Sequence, residues 1–188
     1  MRTTWKPFTF LLALIATTLI GCTSKVHIEY QPRSLPPILF EDSPNISLYV
    51  PNFEDERPNK GSSIYQGCML GMFEEDTPAT QIAHLAIIKE LDRLKITQTD
   101  KPFDASGYLH GTLKSFIIYA PFPLEYNRCS GKIAIDLKLF GKDKKQPLWQ
   151  GTLQSISEVG GIGIDFENSI GQLGKDPNFK NALLQLVK

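Results

Sequence analysis

Between residues 131 and 142 the chain reads GKIAIDLKLFGK, in which Ile133, Ile135, Leu137 and Leu139 alternate with Ala134, Asp136 and Lys138. Strict alternation at a period of two is the pattern of a strand with one face buried and one face in water. Such a strand needs neighbours in a sheet and an apolar layer over one side of it. Two further segments are of strand length, GYLHGTLKSFIIYAP before it and QPLWQGTLQSISEV after it. The polar turn FGKDKKQP between the second and third predicts an antiparallel hairpin. NISLYVPNF adds an earlier strand with Ile46, Leu48 and Val50 on one face.

The covering layer is also legible. Thr77-Pro78 predicts a helix start, threonine as N-cap and proline in the first turn. In the run that follows, Ala83, Ile87, Leu91 and Leu94 recur at helical spacing, with Ile88 beside them. Near the end, Asp176 and Pro177 predict a second helix start, and Phe179, Ala182, Leu183, Leu186 and Val187 form its apolar stripe. The expected fold is α+β: a two-layer sandwich, its mainly antiparallel sheet of about four strands, with two helices packed on one face. HGTLKS and QGTLQS share Gly-Thr-Leu-x-Ser at Gly111–Ser115 and Gly151–Ser155. One pair of matches is too little for a repeat array, and glycine inside a strand marks a bulge or a close backbone approach.

Upstream of the domain, Arg2 and Lys6 precede an uncharged run from Phe8 to Ile20 that stops at Gly21-Cys22. The run is shorter than the ~20 apolar residues of a bilayer-spanning helix, and has the form of a secretory signal. Leu19-Ile20-Gly21-Cys22 resembles the lipobox of bacterial lipoproteins. That resemblance implies cleavage before Cys22, a diacylglyceryl group on its thiol and a membrane anchor of two or three acyl chains. Thr23 and Ser24 lack the aspartate that retains enterobacterial lipoproteins in the inner membrane, which implies the periplasmic face of the outer membrane, the inner membrane being the alternative. Residues 1–21 are then a lipoprotein signal peptide, 22–45 a lipid-anchored stalk with Pro32, Pro36, Pro37 and Pro44, and 46–188 a single periplasmic domain. Ile38, Leu39 and Phe40 argue that part of the stalk packs on the domain.

The chain carries 20 basic and 20 acidic side chains, and loss of Arg2 and Lys6 with the signal leaves 18 against 20, a formal charge of −2. No basic field is present to attract nucleic acid. With Cys22 modified, Cys68 and Cys129 form an even pair in an oxidising compartment. They either bridge, closing a loop of about 60 residues worth roughly 4 kcal/mol of chain entropy, or lie as two separately buried thiols. His27, His84 and His110 are isolated from one another and from the cysteines, and no C-x-x-C occurs, so nothing matches metal-ligand spacing and no cofactor is expected.

The lipobox, the VPNFEDERP segment with Asp55 and Arg57, the early amphipathic helix, the G-x-L-x-x-F strand and the hairpin ending in PLWQG resemble small Gram-negative envelope lipoproteins. The YajG-like group is the nearest type, and the auxiliary lipoproteins of lipid-transport ABC systems a looser one. The resemblance implies a non-enzymatic envelope component; together with the anchor and the lack of a catalytic motif it favours an interaction or assembly module that binds a protein partner or an apolar ligand. Two surfaces are candidates. SSIYQGCMLGMF places Met69, Met72 and Phe73 among adaptable apolar side chains, suited either to a core or to a binding surface. IIYAPFPLEY places Tyr119, Phe122 and Tyr126 around two prolines, either as a protruding tip or as a loop folded back on the sheet.

The competing reading is an envelope hydrolase or modifying enzyme built on Glu54 and Asp55 with a histidine brought near by folding. It requires Asp55 and His84 or His110 in one pocket. Against it, Glu54, Asp55 and Glu56 also read as a solvated strand exit with Arg57 as ion-pair partner. Gly160, Gly161 and Gly163 lack the residues of a phosphate-binding loop, and Ser115, Ser155 and Ser157 lack a nucleophile elbow.

Overall fold

The computed structural model describes residues 24–26, 30, 45–58, 60, 64–65, 73–75, 77–119, 130–143, 145–157 and 167–187. Its centre is a meander of three long antiparallel strands, β7 (Gly107–Tyr119), β8 (Ser130–Phe140) and β9 (Pro147–Ser157). Ile133, Ile135, Leu137 and Leu139 of β8 are buried, as the alternation requires. On their flanks the ladder aligns Leu109 and Leu113 of β7 with Trp149 and Leu153 of β9, so one face of the meander is continuous hydrocarbon.

Before the meander come β1 (Ser24–Val26), β2 (Ser47–Tyr49), β3 (Glu54–Asp55), β4 (Ile64–Tyr65), β5 (Phe73–Glu75) and β6 (Thr97–Gln98). Strands β2, β3 and β4 all lie parallel to β7, with Leu48 opposite Gly107, Glu54 opposite Thr112 and Ile64 opposite Ile118. They act as one interrupted strand along its length. Strand β6 pairs parallel with β2, and β1 with β5 in a separate two-stranded sheet.

Among the described residues the sheet is therefore mixed and seven-stranded, where a mainly antiparallel sheet of about four was expected. Segments of two or three residues are too short to show alternation, so periodicity passes over them. Their parallel direction follows from a helical crossover, since a parallel neighbour cannot be reached by a tight turn. That crossover is α1 (Ala79–Arg93), which buries Ile82, Ala83, Ala86, Ile87 and Leu91 against the sheet. Pro78, with φ −54° and ψ 136°, is the N-cap and no side chain caps the helix, so Thr77 does not have the capping role expected of it. Instead the Pro78 carbonyl accepts from the Ile82 N–H at 3.0 Å and closes the first turn.

A helical turn over 167–170, not expected from the sequence, precedes α2 (Pro177–Gln185), which starts as the sequence predicts. Asp176 accepts from the Asn178 N–H at 2.8 Å through Oδ1, and from the Trp149 indole N–H at 2.8 Å through Oδ2. Phe179, Ala182 and Leu183 are buried, Leu186 packs partly on the core, and Val187, past the helix end, is exposed, contrary to its place in the expected stripe. Both helices contribute to the same buried cluster and so cover the same face.

Tyr30, inside the segment read as a stalk, also belongs to that cluster. Its hydroxyl donates to Glu90 Oε2 at 2.8 Å, and Arg93 Nε donates to the same oxygen at 2.7 Å. Glu90 is completely buried. Its second oxygen is taken by Arg93 Nη2, and Lys89 Nζ reaches the Tyr30 carbonyl at 3.3 Å. A buried carboxylate is tolerable only when paired in this way. The chain approaching the domain is thus fastened to the last turns of α1.

Candidate functional site

Even-numbered residues over 108–114, 134–140 and 150–154 project from the face opposite the helices; past the bulge between Leu113 and Ser115 the parity of β7 inverts and Phe116 is buried in the core. Register places His110, Lys138 and Gln150 in one row across that face, and Thr112, Asp136 and Thr152 in the next. Thr152 Oγ1 donates to Asp136 Oδ1 at 2.7 Å; Lys114 pairs with Glu56 and lies 3.8 Å from Asp136. At the Gly107 end the face turns aromatic. Tyr49 and Tyr108 meet edge to face at 6.1 Å, and the rings of His110 and Phe140 at 5.4 Å.

Beside these rings an open groove of about 460 Å³ runs between the interrupted strand and β8, lined by Pro51, Asn52, Glu54, His110, Gly111, Thr112, Lys138 and Phe140. It combines a cation, an acid, an imidazole, an amide and a hydroxyl with one aromatic wall, the mixture by which pockets orient a ligand through a few polar contacts. The groove has a rigid floor because Gly111 lets the core close beneath it. A Cβ at that position would stand 2.4 Å from the Phe53 ring, which packs there and meets His84 edge to face at 5.4 Å. Gly151, its counterpart in the repeated motif, admits Trp149 in the same manner at 2.5 Å. The ladder sets Gly111 and Gly151 on either side of Leu137, so the sequence echo marks two flanks of one strand where a large ring lies flat on the sheet.

Asp55 does not line the groove. Arg57 Nε and Nη2 fork onto its two oxygens at 2.9 and 2.8 Å, and these hydrogen bonds hold its carboxyl below the ordinary range. His84 lies on the core side, its Nε2 3.1 Å from the Val50 carbonyl. Of the residues the hydrolase reading names, Glu54 and His110 line the groove, Asp55 is engaged by Arg57 outside its lining, and His84 faces the Val50 carbonyl. The ion-pair reading of Asp55 and Arg57 is the one the structure contains.

Of the expected binding surfaces, Met69, Met72, Phe122 and Tyr126 lie outside the described residues, as do Cys22, Cys68 and Cys129. Phe73 lies on β5, opposite Ser24, and Tyr119 at the end of β7, between Tyr65 and Ser130, so the two belong to different sheets. The groove was missed by reading apolar residues alone. Its signal was the other half of the alternation, the outward His110, Thr112, Lys138 and Phe140. Among the described residues no three histidine, cysteine or acidic side chains group as metal ligands would.

No family model and no curated protein matches this chain. Solved structures do, and the likeness is one of fold. A DUF330 protein from Xanthomonas campestris is 13% identical, with a TM-score of 0.51 over 87% of this chain and 95% of that one. A PelC dodecamer from Paraburkholderia phytofirmans is 11% identical, with a TM-score of 0.48 over 68% and 86%. Lipoprotein GNA1162 from Neisseria meningitidis is 12% identical, with a TM-score of 0.32 over 69% and 93%.

Proposed function

We propose that this protein is a lipid-anchored, non-enzymatic component of the bacterial cell envelope, of the YajG-like kind, that binds an envelope partner through the outer face of its sheet. Residues 1–21 direct export, acyl chains on Cys22 hold the chain to the periplasmic face of the outer membrane, and the segment over 22–45 leads to the domain, fastened at Tyr30. The anchor rests on Leu19-Ile20-Gly21-Cys22, and no helix among the described residues is long and apolar enough to cross a membrane. The observation that carries the binding role is the groove. Its rings and its Glu54, Lys138 and Asn52 lie on the face that the helices leave uncovered. Aromatic groups rimmed by polar ones are characteristic of protein-binding surfaces.

The reading is tested by placing a photo-crosslinking residue at Phe140 in living cells, with Gln81 on the exposed side of α1 as control. An adduct with one envelope protein at Phe140, absent at Gln81 and lost when Lys138→Glu is added, is the expected result. Equal adducts at both positions contradict it.

A further inference from the structure

Strand β9 closes one side of the sheet; among the described residues it pairs with β8 and with no strand beyond. An edge strand presents a row of backbone donors and acceptors, and proteins ordinarily blunt such edges by shortening them, bending them or charging them. The opposite side of this sheet is blunted in those ways. It is built of β6, β2 and β3, two or three residues each, and β3 consists of Glu54 and Asp55. Strand β9 is not shortened, bent or charged in this way, and the cover it receives at the edge is the Gln172 side chain on the Gln154 carbonyl. It runs 11 residues from Pro147 to Ser157, its proline stands at the first position, its register is continuous from Trp149 onward, and it carries no charged side chain.

The direction of its backbone groups is fixed by one contact. Gln172 Nε2 donates to the Gln154 carbonyl at 3.2 Å, so that carbonyl points away from β8. In an antiparallel ladder each residue turns its N–H and C=O to the same side and the side alternates. Gln150 and Thr152 therefore offer their N–H and C=O groups to the open edge as well. The side chains of these three residues are exposed on the outer face, and they read Gln, Thr, Gln in either direction.

We propose that β9 pairs with β9 of a second copy of this chain, antiparallel about a two-fold axis at Thr152, joining two sheets into one. In that register Gln150 stands opposite Gln154 of the second copy and Thr152 opposite its own equivalent. Each pairing recurs on both sides of the axis, as an isologous contact requires; the Gln150 and Gln154 amides bond to each other, Thr152 keeps its hydroxyl bond to Asp136, and no like charges are opposed. Gln172 gives up one exposed contact to the incoming strand. The partner is a copy because the strand is its own complement; an unrelated strand gains nothing from the palindrome.

The test uses the full-length chain in detergent micelles. Sedimentation velocity over a range of concentrations is expected to show a monomer passing to a dimer. A photo-crosslinking residue at position 150 is expected to join the peptide of the second copy that contains residue 154. Thr152→Lys sets two lysines face to face on the axis and is expected to weaken self-association about tenfold or more. Its own melting temperature is expected to hold, because the lysine lies beside Asp136. Gln154→Lys, whose lysine meets glutamine instead of itself, is expected to weaken association less. A wild-type chain that stays monomeric, adducts to other segments or other proteins only, or equal association in Thr152→Lys and wild type would each overturn the proposal.

Discussion

Tyr30 carries two duties in one side chain: its ring packs in the core, and its hydroxyl satisfies a carboxylate that has no access to water. Burial, and after it the charge of Glu90, raises its pKa above the ordinary tyrosine value of about 10. An acid whose pKa is raised on folding contributes stability that is complete while both states are protonated and is lost as pH climbs past the unfolded value, where the unfolded chain ionises first. Urea unfolding of the wild-type protein at pH 8 and pH 11 is therefore expected to show an alkaline loss that Tyr30→Phe reduces. At pH 8 the same variant is expected to be about 1–2 kcal/mol less stable, since Glu90 keeps Arg93 but loses a hydrogen bond in the dry interior. Parallel pH profiles for the two proteins would contradict this. Glu90 was visible in the sequence only as a charge three residues from Ile87 on the apolar face of a predicted helix, and its phenol partner comes from 60 residues away.

Among the elements, α2 depends on a single junction. The Asp176 carboxylate caps the helix with one oxygen and receives the Trp149 indole with the other, so it joins α2 to β9 as well as starting it. Asp176→Ala is expected to cost about 2–3 kcal/mol in chemical denaturation, the loss of a cap together with an indole N–H left without its partner. A cost below that of an ordinary exposed cap would show that the indole bond adds nothing. The Asp-Pro start of this helix was readable because capping chemistry is local; the bond to Trp149 was not, because it links two segments the sequence keeps apart. The same division runs through the sheet. β8 declares itself by seven residues of alternation from Ile133 to Leu139, whereas β3, β4 and β6 exist because β7 and β2 offer them backbone partners. The stripe Ala83, Ile87, Leu91 and Leu94 is buried throughout, yet the start of its helix moved past Thr77 because Pro78 adopts an extended conformation.

For the molecule as a whole, one face of the sheet is committed to folding and the other to the surroundings. Apolar periodicity made the first legible and left the groove on the second unread, since His110, Lys138 and Phe140 are separated in sequence and meet only through register. The Tyr30 clasp also limits reach. Seven residues lie between Cys22 and Tyr30, eight steps or at most about 28 Å of extended chain, so an anchor at Cys22 would hold the domain close to the leaflet instead of on a long tether. Everything proposed for the outer face presumes that placement, and growth with an alkyne analogue of palmitate measures it directly. The protein is expected to carry the label and sediment with membranes, and a Cys22→Ala variant to lose the label. A wild-type chain that is unlabelled and leaves the membranes in low-salt washing would contradict it.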